Sequence, residues 1–74
     1  MRLCLDTSAY SHFQKGHDGV VALIDAAEWV GVPAIVLGEL RTGFALGSRP
    51  LKNNKLLSKF LTNPSIHTLP INHI

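Results

Sequence analysis

Residues 29–46 read WVGVPAIVLGELRTGFAL, and this stretch decides the fold class. The apolar run 29–32 is short, as buried strands of parallel sheets are. Pro33 ends the run and suits the first position of a helix, where a missing N–H costs nothing. Apolar residues then recur at helical spacing, which predicts a helix over residues 34–46 with one face on the core: Leu37, Leu40 and Phe44. A strand followed directly by a helix is the unit of an α/β fold.

The chain before this unit also alternates between strand and helix. Residues 2–5 predict a short strand that ends at Asp6. Two helices are expected after it, over residues 9–14 and 19–27. Three residues are predicted to begin them, because short polar side chains accept hydrogen bonds from the free N–H groups of a first turn: Thr7, Ser8 and Asp18.

The chain after the central unit supplies a further helix and strand. Gly47 is expected just past the third helix in a left-handed conformation. A fourth helix is predicted over residues 51–61 and a third strand over residues 66–69. Trp29 opens an apolar strand and is expected in the core. The alternation predicts a three-stranded parallel sheet, with the carboxyl ends of all strands at one edge.

Composition excludes several classes of protein. The chain has 74 residues, 46% hydrophobic and 16% charged, which suits one small folded domain over residues 1–74 rather than a disordered chain. The single cysteine, Cys4, excludes an internal disulfide framework and a zinc site of several cysteines, and we expect it to be buried and inert. No apolar run approaches the roughly 20 residues that span a bilayer. Asp6 interrupts the N-terminal apolar residues too early for a signal peptide. We expect a cytoplasmic protein that binds no membrane.

Charge is divided unevenly along the chain. All five acidic residues lie within residues 1–39, where two basic residues leave a net charge of −3. Residues 40–74 hold five basic residues and no acidic one, for a net charge of +5. Three of these recur at helical spacing: Lys52, Lys55 and Lys59. Such a basic half is compatible with a phosphate polymer as partner, but charge alone favours an ordinary solvated face.

Two carboxylates are candidates for chemistry, although they lie far apart in sequence. Asp6 follows the first predicted strand, and Glu39 lies one to two turns into the helix after the second. Ligands of open parallel sheets bind at the carboxyl ends of the strands, so both side chains are expected at one crevice. Such a pair suits general acid–base chemistry, a hard-cation site or a like-charge pair with one raised pKa. An Asp that only begins a helix, with a solvated Glu, is an equally weighted alternative.

Two stretches resemble the acidic motifs of PIN-domain nucleases. Residues 3–10, LCLDTSAY, are similar to the opening strand and first acidic motif. Residues 30–44, VGVPAIVLGELRTGF, are similar to the second motif, in which a helix carries a Glu. The likeness continues in the same order through residues 46–49, the fourth predicted helix with its three lysines, and residues 66–71. The likeness covers essentially the whole chain, and the proteins that the sequence resembles are the VapC toxins of toxin–antitoxin pairs.

The resemblance implies a divalent-metal-dependent endoribonuclease that hydrolyses RNA phosphodiester bonds and is neutralised by an antitoxin. Asp6 and Glu39 match the catalytic acids of the family and are expected to hold Mg²⁺ or Mn²⁺. Thr7 or Ser8 matches the small hydroxyl residue that orders the acidic cluster, and Arg41 is a candidate for ordering the site or contacting substrate. The expected partners are an antitoxin, RNA, and a second copy of the chain or a complementing chain.

One departure from the family pattern concerns the later acids. The family usually carries one or two further Asp residues, whereas no acidic residue follows Glu39 here. The resemblance therefore implies an α/β, partial PIN-like fold, a three-stranded parallel sheet with flanking helices and without the C-terminal part of the domain. We expect the isolated chain to cleave RNA poorly, because two carboxylates alone position a cation loosely. The alternatives are a non-catalytic remnant that binds an antitoxin or a toxin subunit, and an unrelated small α/β binding module.

Overall fold

The computed structural model describes residues 1–70. Two helices follow each of the first two strands within this range, as the sequence predicts: β1 (Arg2–Cys4), α1 (Thr7–Gln14), α2 (Asp18–Ala26), β2 (Trp29–Pro33), α3 (Ala34–Leu46), α4 (Pro50–Leu61) and β3 (Ile66–Leu69). The predicted bounds of α3 and β3 are confirmed, and those of the other elements differ by one or two residues. None of the helices within residues 1–70 has the length and apolar character that a bilayer crossing requires.

The strands form one parallel sheet in the order β1-β2-β3. Leu3 pairs with Val30, which pairs in turn with Ile66. The N–H of Leu5 donates to the carbonyl of Gly31 at 2.8 Å, which carries the ladder one residue beyond β1. The carboxyl ends of the three strands therefore lie at the same edge of the sheet, as predicted.

All four helices pack on one face of the sheet. The strand residues on this face share a single core with side chains from every helix: Leu5, Val30, Val32 and Ile66 with Tyr10, Ile24, Val36, Leu40 and Leu57. The described chain is only 19 Å across in its shortest dimension, which suits one layer of helices on one sheet. The fold is thus two-layered within residues 1–70.

No described helix covers the opposite face of the sheet, which we call the open face: Arg2, Cys4, Trp29, Gly31, His67 and Leu69. Two predictions about it are wrong, because Cys4 is exposed and Trp29 is only half-buried. Side chains alternate along a strand, so Leu3 and Leu5 point at the helices and Cys4 between them points away. A short apolar run shows that a strand is present but does not show which face its neighbours cover.

The Trp29 indole stands on the open face between side chains of the two neighbouring strands. Arg2 Cζ lies 4.7 Å from the ring centroid, and the His67 ring stacks at 5.4 Å with an interplanar angle of 14°. These separations are close to the roughly 4.8 Å spacing of strands. A Cβ at Gly31 would lie 2.6 Å from Trp29 Cη2, so the ring occupies space that only glycine leaves free.

Two helix ends differ from their predictions. Asp18 was expected to cap α2 but is its first residue, and the cap is His17, whose Nδ1 accepts from the N–H of Val20 at 3.3 Å. Gly47 follows α3 with φ −89° and ψ −175°. This is extended backbone rather than the expected left-handed conformation, so the end of α3 does not require glycine for its backbone angles.

Candidate functional site

Asp6 is the N-cap of α1, directly beyond the last ladder residue of the first strand. Its Oδ1 accepts a hydrogen bond of 2.7 Å from the N–H of Ala9. The prediction that Thr7 or Ser8 caps this helix is wrong, since both are already helical and the carboxylate before them reaches the free N–H. The bond fixes the Asp6 side chain at the carboxyl edge of the sheet while the residue stays exposed.

Glu39 reaches the same edge from a different element. It is the sixth residue of α3, which begins where β2 ends, and its side chain is exposed. Thr7 Oγ1 donates a hydrogen bond of 2.9 Å to Glu39 Oε1 across 32 positions of sequence. Because Thr7 follows Asp6 directly, this bond brings the two acidic motifs together at the carboxyl edge.

The start of α1 also favours negative charge at this place. The free N–H groups of a helix N-terminus carry a partial positive charge, which stabilises carboxylates within the first turn. Asp6 is the cap of that turn, and Glu39 bonds to its first residue, Thr7. Two carboxylates are thus held beside one helix N-terminus.

The donor set fits a hard divalent cation. Asp6 Oδ1 and Glu39 Oε1 each accept one hydrogen bond, so each carboxylate keeps a second oxygen without a hydrogen-bond partner among residues 1–70. Mg²⁺ takes oxygen ligands and is commonly bound by one or two carboxylates with several waters. Within the described part of the chain, no group of three or more His, Cys, Asp or Glu residues gathers to hold a metal. The pair would therefore bind a cation that keeps most of its water ligands.

Two other predicted site residues lie outside this arrangement. Ser8 is exposed in the first turn of α1, and Arg41 is exposed on α3. Neither makes a side-chain hydrogen bond or an ion pair with another residue of the described range 1–70. Arg41 follows Glu39 by two positions, about 200° around the helix, so the two side chains leave α3 on different sides. Within residues 1–70, Thr7 is the one of these three candidates whose side chain hydrogen-bonds to an acidic residue.

The predicted lysine stripe on α4 is exposed at all three positions: Lys52, Lys55 and Lys59. The three lysines do not face a single surface, because Lys52 and Lys59 line different grooves. Lys52 shares its groove with Lys15 and Arg49, two basic residues that sequence reasoning did not single out. No local signal links residues 15 and 49, since packing of α1 beside α4 brings them together.

Comparisons with known proteins give one structural neighbour. No family model matches the sequence, and no curated protein matches it. The crystal structure of VapBC2 from Rickettsia felis bound to a DNA fragment from their promoter contains a chain of similar fold, with a TM-score of 0.74 and 22% sequence identity. The match covers 92% of this chain and 54% of that chain, so this chain spans about half the length of the solved chain.

This neighbour establishes the class of fold. The α/β arrangement of three parallel strands and four helices is that of about half of a chain in a VapBC complex, as expected for a partial PIN-like fold. At 22% identity the likeness concerns the fold alone. What this chain binds and does is argued from its own residues.

Proposed function

We propose that the chain is a VapC-like member of a toxin–antitoxin pair, and that it carries the Asp6–Glu39 part of a divalent-metal-dependent endoribonuclease site. The observation that supports the site best is the hydrogen bond from Thr7 to Glu39, which joins the two acidic motifs at the edge where parallel sheets bind ligands. The toxin–antitoxin role is supported by the fold shared with a chain of a VapBC complex. RNA is the proposed substrate and an antitoxin the proposed protein partner.

Each site residue has a separate task in this proposal. The N–H of Ala9 holds one oxygen of Asp6, and the hydroxyl of Thr7 holds one oxygen of Glu39. Asp6 and Glu39 would hold Mg²⁺ or Mn²⁺ through their remaining oxygens. When bound there, a divalent ion would supply a nucleophile at neutral pH and would stabilise the charge that develops on the phosphate. The chain's own contribution is to fix the two carboxylates before the ion arrives.

Metal binding by the chain tests the site directly. We expect Mn²⁺ to broaden the amide NMR signals of Asp6, Thr7 and Glu39 first, because paramagnetic broadening is strongest closest to the ion. Asp6→Asn and Glu39→Gln should each abolish this selective broadening. Asp25→Asn is the matched control, since Asp25 is an exposed carboxylate on another helix, and it should leave the broadening unchanged. Equal loss in all three variants would exclude a specific site.

Cleavage of a structured RNA tests the activity. We expect the isolated chain to cleave slowly with Mg²⁺ or Mn²⁺, and Asp6→Asn to remove whatever metal-dependent cleavage is present. Cleavage that survives Asp6→Asn would identify a contaminating nuclease. Rapid cleavage that Asp6→Asn abolishes would show that the two carboxylates suffice. Metal binding without cleavage, restored by a separately produced C-terminal segment of a VapC-like protein, would show that the chain is one half of a divided site.

The open face of the sheet favours a second candidate function, a non-catalytic protein that binds an antitoxin or a toxin subunit. Parallel sheets are ordinarily covered on both faces, whereas here Cys4, the last residue of β1, is exposed. The Cys4 thiol reports on this face. It should react with a thiol reagent in the native chain at a rate close to that in urea, and become protected when a partner covers the face. A native thiol that is already protected would contradict an open face.

A further inference from the structure

A partly enclosed groove between α1, the end of α3 and the first turn of α4 gathers three basic side chains. Lys15 comes from the end of α1, Arg49 precedes α4 and Lys52 lies in its first turn. No acidic residue lines this groove within residues 1–70. Its positive charge therefore lacks a counter-charge from the described part of the chain.

The first turn of α4 adds to this positive charge. Its N-cap residue, Arg49, makes no side-chain capping bond, and no acidic residue lies in the turn. Pro50 has no N–H, and the N–H of Asn53 is bonded to the carbonyl of Arg49 at 3.0 Å. The N–H groups between them stay free for an acceptor. The partial positive charge of the helix start and the three cationic side chains thus act on the same groove.

Tyr10 offers a further donor to the groove. Its side chain is only 2% exposed, and its hydroxyl accepts a hydrogen bond of 3.0 Å from Gln14 Nε2. Accepting this bond leaves the hydroxyl proton for an acceptor. Ser11 and Asn53 also line the groove with polar side chains. The lining combines fixed positive charge with several hydrogen-bond donors, which is the chemistry that recognises a phosphate.

We propose that this groove binds phosphate groups through Lys15, Arg49 and Lys52. None of Asp6, Thr7 and Glu39 lines this groove. Two ligands present such phosphate groups, namely free inorganic phosphate and the backbone of single-stranded RNA. The proposal concerns binding and does not depend on cleavage.

Lysine variants of α4 provide a matched test. Lys52 and Lys55 carry the same charge and are both exposed on α4, but of these two lysines only Lys52 lines the groove. Two probes are used, inorganic phosphate followed by amide NMR shifts of residues 49–53 and a short fluorescein-labelled oligouridylate followed by anisotropy. We expect Lys52→Gln to weaken binding about fivefold at low salt and to lower the salt slope for the oligonucleotide by about one. Lys55→Gln should change affinity less than about twofold, and Lys52→Arg should retain binding.

The outcomes separate the sources of phosphate and the alternatives. Binding of inorganic phosphate alone, lost in Lys52→Gln, supports a site for the free ion. Binding of both probes with the same dependence on Lys52 supports the RNA backbone as ligand. Equal losses in Lys52→Gln and Lys55→Gln would overturn the proposal, since diffuse surface charge would then explain the affinity. Failure of both probes to bind at about 50 mM salt would also overturn it.

Discussion

Thr7 and Glu39 are joined by a hydrogen bond of 2.9 Å between the first residue of α1 and the middle of α3. Both residues are near solvent, so the bond contributes little to stability, on the order of 1 kcal/mol or less. The bond instead restricts the direction in which the Glu39 carboxylate points. A free Glu side chain on a helix samples several rotamers, whereas one held by a hydroxyl presents its second oxygen in a narrower range.

Thr7→Ala should weaken divalent-cation binding without unfolding the chain. Loss of a group that orients a metal ligand commonly costs about 10–100-fold in affinity, and we expect the lower end because Glu39 is exposed. Thr7→Ser keeps the hydroxyl and should bind Mn²⁺ nearly as well as the wild-type chain. Mn²⁺ titrations of the three proteins measure the effect. Unchanged affinity in Thr7→Ala would mean that Thr7 does not orient Glu39.

Gly31→Ala should destabilise the chain by about 1–3 kcal/mol, the usual cost of forcing atoms into filled space. A Cβ at this position would lie 2.6 Å from Trp29 Cη2 and 3.0 Å from Leu69 Cδ1. Gly31 is in the central strand, so the backbone has little freedom to move away. Urea unfolding monitored by circular dichroism gives the change.

The Trp29→Ala background separates crowding from other effects of Gly31→Ala. Removal of the indole opens the space above Gly31, so the substitution should cost much less there. A cost that is the same in both backgrounds would contradict the close approach of the ring. The loss of stability would then come from the backbone of β2 rather than from the Trp29 ring.

Part of the site was predictable because it depends on local order along the chain. The strand that ends at Asp6 and the helix that carries Glu39 follow from apolar spacing and from Pro33. The parallel direction of the strands then places both residues at one edge of the sheet. The bond between Thr7 and Glu39 was not predictable in this way, because it depends on how α1 packs beside α3.

The environment of Cys4 and Trp29 shows a second limit of sequence patterns. Both lie in apolar strands, and burial was the natural prediction for each. Which face a strand side chain takes depends on the phase of the alternation, and whether that face is covered depends on the topology of the whole sheet. With all described helices on one side, the same pattern leaves Cys4 exposed.

Gly43→Ala should stabilise the chain by about 0.5–1 kcal/mol. Glycine in a helix interior costs about this much relative to alanine, and nothing lies within 4 Å of a Cβ built at Gly43. Gly38 has the same open surroundings in α3, so Gly38→Ala is expected to have the same sign. Urea unfolding measures both. A loss of stability in either variant would indicate that another chain packs closely on this face of α3 in solution.

Because the Tyr10 hydroxyl is buried, the free energy of unfolding should fall in alkaline solution. Burial raises the pKa of its hydroxyl above the ordinary 10.0, although the hydrogen bond from Gln14 lowers it in part. Above about pH 10 the unfolded chain therefore releases this proton while the folded chain keeps it, so stability falls as pH rises through the folded pKa.

Tyr10→Phe keeps the edge contact with Phe60, at 5.3 Å between ring centroids, and removes the titrating group. Lysines titrate in both proteins, so the difference between their unfolding free energies from about pH 8 to about pH 11 isolates Tyr10. The wild-type chain should lose more stability over this range than the variant, and parallel pH profiles would contradict a buried, protonated Tyr10.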